Sequence, residues 1–312
     1  MTGRRVLIVG AGAMGRIHAA AVRAAGDVIN AVVDADTRRA RTLDPGAELF
    51  LSVADALSAG GGLDAAVVAT PSSAHLEQVR ALAEAGVPVL VEKPHRVPGE
   101  DPSSLLEAER RGARVFVGMS TRHWPGIEAA ADAVRAGELG EILAYTDRMA
   151  FRLAEESLPA WYFDAAVSGG GILVTNGVHA LDRVRSILGA PTIDAAEMRR
   201  IVDRGDVEEM AVLRGTVDRS AVLIELLWTG YPPLGEGLVI SGTRGAASVR
   251  MDGSWCITTQ GGERNGPAID LDVTPFRRQW TAFTNAAPGF SVRDLEPTLT
   301  LIESIYREHS DD

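Results

Sequence analysis

The chain has 312 residues, 46% of them hydrophobic and 23% charged, which is the make-up of a globular protein with room for two cores. A formal net charge of −11 opposes a general role in binding nucleic acid or an anionic membrane, whose phosphates it would repel. Cys256 is the only cysteine, so an intrachain disulfide and a cysteine-cluster metal site are excluded.

The first third alternates buried-strand and helix patterns. "RRVLIVG", "VINAVVD", "LDAAVVATP", "VPVLVEKP" and "ARVFVGMS" are apolar runs without polar alternation. Strands of that kind are covered on both faces. Stretches such as "SSAHLEQVRALAEAG" lie between them, with Ala and Leu at helical spacing and a glycine stop. The alternation predicts a doubly wound parallel sheet over residues 1–120, an α/β Rossmann domain.

After Ser120 the texture changes. "EILAYTDRMAF", "EEMAVLRGTV", "SAVLIELLWTG" and "GLVISGTRGAASVRM" follow one another with little helix between them. They predict an α+β domain over 121–312 with a large, open, mostly antiparallel sheet. Two helical patterns close the chain, "PFRRQWTAFTNAA" and "RDLEPTLTLIESIYREH", and these are free to pack back on the first domain. No apolar run is long enough to span a bilayer, and no signal peptide is expected ahead of the first strand. The expected compartment is a reducing cytoplasm.

The first strand runs into Gly10-Ala11-Gly12-Ala13-Met14-Gly15, a helix follows, and the second strand ends in Asp34, nineteen residues after Gly15. In this context G-x-G-x-x-G is a dinucleotide fingerprint. Gly10 makes the tight turn, Gly12 admits the pyrophosphate to the backbone, and Gly15 lets helix and strand approach. Asp34 would accept bonds from the adenosine ribose hydroxyls and repel a 2′-phosphate, which favours NAD. Arg38 and Arg39 follow closely enough to offset that repulsion, so NADP stays open, beside a plain reading of both arginines as a solvated helix start.

Ligands of such sheets lie at the carboxyl ends of the strands. Thr70 and Pro71 end one strand there, and Glu92, Lys93 and Pro94 end the next. Further on, "SGGGILVTNGVHALD" opens an apolar, helix-like run on three glycines and carries Thr175, Asn176, His179 and Asp182. Thr175 and His179, four apart, share one helical face, and Asp182 lies on the same side. His18 and His75 sit within or at the start of helices, where packing or capping accounts for them. Trp161 and Tyr162 precede the glycines and read equally as a sugar-stacking platform or a hydrophobic plug. No H-E-x-x-H or similar spacing occurs, so no metal is expected, and no G-x-S-x-G occurs either.

"GAGAMGRIH", "ATPSSAHLEQVRALAEAGVPVLVEKP" and "SGGGILVTNGVHALD" together resemble the glucose-fructose oxidoreductase / inositol dehydrogenase / rhizopine-catabolism (Gfo/Idh/MocA) family, along the whole chain. The resemblance implies an NAD(P)-dependent oxidoreductase that moves a hydride between nicotinamide and a hydroxyl or ketone carbon of a sugar, cyclitol or related small molecule. It implies Lys93 on the reacting oxygen and His179 as the proton-exchanging group, whose unperturbed pKa near 6.5 suits that task. Cofactor contacts are implied at Gly10, Gly12, Ala13, Met14, Gly15, Asp34, Arg38, Thr70, Pro71, His75, Glu92, Lys93 and Arg122. Substrate contacts are implied at Lys93, Trp161, Tyr162, Thr175, Asn176 and His179. Two positions depart from the family pattern: Thr175 stands where an aspartate is common, and Ser120 where an asparagine is common. A cis Lys93–Pro94 bond is also suggested by similar proteins. An NAD-dependent glycosidase that oxidises its sugar transiently and a cofactor-binding regulator with an eroded site are the alternatives. A broad second sheet needs its outer face covered, so a homodimer or homotetramer is expected.

Overall fold

The computed structural model describes residues 3–152, 158–201, 205–229 and 237–309. Met1–Ser120 with Asp272–Pro297 form one compact unit, and Thr121–Leu271 with Thr298–Asp312 form another.

The first unit is built on six parallel strands, β1 (Arg5–Val9), β2 (Val28–Val33), β3 (Glu48–Phe50), β4 (Ala65–Val68), β5 (Val89–Glu92) and β6 (Val115–Gly118), in the order β3-β2-β1-β4-β5-β6. β4, β5 and β6 are buried along their whole length, as unalternating apolar runs require. Five helices connect them: α1 (Ala13–Ala24), α2 (Thr37–Leu43), α3 (Val53–Ser58), α4 (His75–Glu84) and α5 (Ser103–Arg110). α4 shows why they form, since it buries His75, Val79, Leu82 and Ala83, a stripe at helical spacing. Strand order reverses at β1, which pairs Val9 with Val33 of β2 on one side and Val68 of β4 on the other. The crevice at that reversal is where an open α/β sheet takes its ligand.

In the second unit, α6 (Pro125–Arg135), α7 (Ala165–Ser168) and α8 (Val178–Ile187) accompany eight strands. These are β7 (Ile142–Arg152), β8 (Thr192–Arg199), β9 (Met210–Val217), β10 (Ser220–Thr229), β11 (Gly237–Gly242), β12 (Gly245–Arg250), β13 (Trp255–Thr259) and β14 (Gly262–Gly266). Their order is β14-β13-β12-β11-β7-β10-β9-β8, antiparallel except for the β10–β7 pair. β9 alternates buried and less buried residues, the mark of a sheet covered on one face. α8 covers β7 with a buried ion pair, in which the Arg183 guanidinium donates to Asp147 Oδ2 at 2.7 and 2.9 Å and Tyr145 donates to the same oxygen at 3.2 Å. On the outer face Leu223 and Val239 flank Thr146 and stay exposed, at 37% and 43%.

Two helices complete the chain. α9 (Thr274–Thr284) belongs to the first unit, and α10 (Val292–His309) contributes its first residues to the first unit and the rest to the second. α9 packs on α1, and its Trp280 indole donates to Asp27 at 2.8 Å. Among the described residues no helix is long and apolar enough to cross a membrane, and no group of three His, Cys, Asp or Glu is placed to hold a metal ion.

Candidate active site

In the first unit, the turn after β1 has the shape its glycines predict. Gly10 adopts φ +95°, which disfavours any residue with a Cβ. A Cβ on Gly15 would overlap the Gly10 carbonyl oxygen, so α1 reaches the strand only without one. Around Gly12 nothing stands within 4 Å of the place a Cβ would occupy. Gly12 is the N-cap of α1, no side chain caps the helix, and its first turn, which includes Ala13 and Met14, holds no acidic residue. That leaves an open, electropositive helix end suited to an anion. Asp34 lies past the end of β2, its Oδ2 accepting the Ala11 N–H at 2.7 Å and its Oδ1 the Asp36 N–H at 2.8 Å. The residue near Asp34 is Arg39, 3.8 Å from Oδ1, while Arg38 is exposed and uses its backbone N–H on Asp36.

The ends of β4 and β5 are tied to each other. His75 is 1% exposed, its Nδ1 2.7 Å from the Pro94 carbonyl and its Nε2 2.9 Å from the Thr70 carbonyl. Burial holds this ring below the ordinary histidine pKa, against the pull of the two carbonyls and of Glu92. Both its nitrogens face backbone carbonyls, so the ring staples the loop after β4 to the loop after β5. Thr70 turns its hydroxyl to Gln78 at 2.7 Å, beside Pro71. Lys93 follows β5 half-buried, and its bond to Pro94 is cis. Downstream, Arg96 and His95 both engage Glu296, the histidine at 2.9 Å.

In the second unit, the glycine-opened run departs from the expected α-helix. Leu173–Gly177 forms a π-turn before α8 begins, so a 3.6-residue face cannot be counted straight from Thr175 to His179. Thr175 donates its hydroxyl to the Gly171 carbonyl at 2.8 Å, within the turn. Asn176 Oδ1 accepts from the Trp228 indole at 3.0 Å. His179, 7% exposed, has Nδ1 3.5 Å from the Thr121 hydroxyl. The Asp182 carboxylate is taken by Arg122, at 2.6 and 2.5 Å. This bidentate pair fixes one edge of the Arg122 guanidinium. Burial pushes the Asp182 carboxyl up even so, against the neighbouring guanidinium. Trp161 and Tyr162 lie together in a short turn, ring centroids 4.2 Å apart.

Several residues of these clusters are missed from sequence. Glu208 accepts the N–H groups of Gly171 at 3.0 Å and Leu173 at 2.9 Å and the Tyr306 hydroxyl at 2.9 Å, anchoring the π-turn. His18 reaches Glu92 at 2.7 Å, and its one sequence signal is its place on the buried face of α1, three residues after Gly15.

Residues 4–119 match the family model for the Gfo/Idh/MocA oxidoreductase family with an NAD-binding Rossmann fold, and residues 127–248 match the C-terminal domain of the same family. The chain is 31% identical to the rhizopine catabolism protein MocA of Rhizobium meliloti, over 97% of this chain and 94% of the relative. This chain belongs to the Gfo/Idh/MocA family. It is 26% identical to an inositol 2-dehydrogenase of Rhizobium meliloti, covering 91% of this chain and 86% of that one. The crystal structure of GenD2 from gentamicin A biosynthesis, solved in complex with NAD, superposes with a TM-score of 0.82 at 25% identity, covering 100% of this chain and 96% of that one. As a Gfo/Idh/MocA protein the chain is an NAD-binding oxidoreductase, and its open cradle at Gly12 and the carboxylate of Asp34 fit that cofactor. Lys93 stands out within it for another reason. It is the only lysine in the chain, and the other 30 basic residues are arginine. A guanidinium does not give up its proton in a protein, whereas an ammonium does. Position 93 is thus the one place where a side chain of this family member carries an ionisable amine.

Proposed function

We propose that the protein is a dehydrogenase of polyhydroxylated small molecules, sugars or cyclitols, which transfers a hydride between a CH–OH carbon and NAD. The observation that carries this reading is the solitary lysine at the mouth of β5, in the unit that also holds the glycine cradle and Asp34. NAD, when bound, supplies the hydride acceptor. Backbone N–H groups from Gly12 to Gly15 bind its phosphates, and Asp34 binds its adenosine ribose. Lys93 Nζ stabilises negative charge on the substrate oxygen as the hydroxyl loses its proton. His179 takes that proton and returns it in the reverse reduction. Trp161 and Tyr162 offer aromatic surface to the CH faces of the substrate ring. Use of NADP, a cytoplasmic location and a homodimer or homotetramer belong to the same proposal. The exposed Leu223 and Val239 on the second sheet support the assembly. The test is to incubate purified protein with NAD or NADP and a panel of cyclitols and sugars, following absorbance at the NADH band. Net NADH formation with at least one of them is expected. Sugar release without net reduction, or cofactor binding with neither across the panel, overturns the reading.

A further inference from the structure

Behind the mouth of β5 lies a buried polar cluster with no part in the scheme above. Glu92 is 6% exposed. Its Oε1 lies 2.7 Å from His18 Nε2, and its Oε2 accepts the Lys93 backbone N–H at 3.3 Å. His18 is 1% exposed and meets the Phe276 ring edge-on at 5.2 Å. Gln279, wholly buried on α9, completes the wall. Its Nε2 and Glu92 Oε1 stand 3.3 and 3.5 Å from where a Gly118 Cβ would be.

A carboxylate this far from water is tolerated only where donors and opposite charge face it. Burial pushes the Glu92 carboxyl up, but the His18 hydrogen bond, then the charges of His18, Lys93 and His75, outweigh it and hold Glu92 below the usual carboxylate value. Lys93 is under the opposite stress. Burial lowers its ammonium pKa, and the charge of Glu92 works against that. The groups facing this pair are His18 from α1, His75 from α4 and the neutral amide of Gln279 from α9. A histidine protonated on Nε2 alone is enough to donate to Glu92.

We infer that His18 and Glu92 form a buried positioning pair that fixes the backbone at Lys93 and sets the charge of its side chain. The inference rests on the proposed role of Lys93, but its consequence for the amine is measured without substrate or cofactor. Because Lys93 is the only lysine, acetic anhydride acylates one side-chain amine, and mass spectrometry of the peptide containing it gives the rate against pH. Glu92→Gln keeps the shape and removes the charge. The labelling inflection should then fall by about one pH unit, making Lys93 about tenfold more reactive near neutral pH. His18→Leu should move the inflection in the same direction, since Glu92, stripped of its donor, takes up a proton and loses the charge that holds Lys93 protonated. His18→Gln, which restores an amide N–H, should recover most of the shift. The inflection separates a change in charge from a change in access, which alters the plateau rate alone. If Glu92→Gln or the His18 variants melt lower yet keep the wild-type inflection, the pair is only a core staple between α1 and β5 and the inference fails. Should Glu92→Gln not fold, the two His18 variants decide. A shifted inflection in a protein that oxidises no polyol keeps the pair and removes the dehydrogenase reading, and an unshifted one in an active enzyme does the reverse.

Discussion

Asp34 uses one lone pair of each oxygen on the glycine turn and on the Asp36 N–H, and leaves the rest for a ribose. Replacing it by serine removes both the acceptor and the charge that repels a 2′-phosphate, and releases Arg39. Asp34→Ser should shift the ratio of NAD to NADP affinity by about tenfold or more toward NADP, read by fluorescence titration of each cofactor. An unmoved ratio places Asp34 away from the ribose. Lys93→Met keeps the apolar stem, so NAD affinity should stay nearly intact while turnover falls by about 10²–10³, because the loss falls on charge made in the transition state. His179→Ala should lower single-turnover NADH formation by about 10²–10⁴ and flatten its pH profile. A wild-type rate and profile would make His179 structural. Lys93 and Asp34 were readable as residues at strand ends from the apolar runs before them. Their partners were not. Arg122 takes Asp182 across sixty positions and His18 takes Glu92 across seventy-four, distances at which pattern carries no information about contact.

The π-turn Leu173–Gly177 is held from outside by Glu208 and, through it, by Tyr306 of α10. A Cβ on Gly171 would overlap the Glu208 carbonyl oxygen, which explains why the glycine run cannot lengthen its side chains there. Burial pushes the Glu208 carboxyl up, ahead of the donors from Leu173, Tyr306 and Gly171 that pull it down. The folded chain therefore binds this proton more tightly than the unfolded chain does. The stabilising contribution is complete below the ordinary carboxylate pKa and is lost as pH rises through the raised value. Glu208→Gln should flatten the melting temperature across that weakly acidic window, relative to wild type, in calorimetry at stepped pH. Tyr306→Phe should cost about 1–3 kcal/mol of stability near neutral pH in urea titrations, the worth of a hydrogen bond to a charged acceptor. The parallel elements of the first unit were readable from their uninterrupted apolar runs, and the sheet of the second from its change of texture. The π-turn was not, because "GGGILVTNGVHALD" fits a plain helix until Glu208, from a distant loop, competes for its first N–H groups.

The first unit is not continuous along the chain, since it draws on 272–297 as well as on the first 120 residues. That segment brings Trp280, 1% exposed, and Phe283, fully buried, and it returns Phe290 to stack on Phe116 of β6 at 4.5 Å. A fragment ending at residue 120 should accordingly show a broad, weakly cooperative melt and poor NAD binding. The same fragment joined by a short Gly/Ser linker to 272–297 should recover both, as read by circular dichroism and cofactor titration. Equal behaviour of the two fragments would mean that α9 only decorates the sheet. The composition of these helices marks them as amphipathic, but an apolar face does not say which sheet it will meet. The order in which the chain leaves the ribosome adds one more consequence. Asp27 and Trp280 are 253 positions apart. At about 5–20 residues per second a nascent chain spends roughly ten to fifty seconds with the α9 socket of its first unit made but empty. During that interval an apolar trough is open to chaperones and to other nascent chains. Slower translation should therefore lower the soluble yield of this protein, while chaperone supply should raise it.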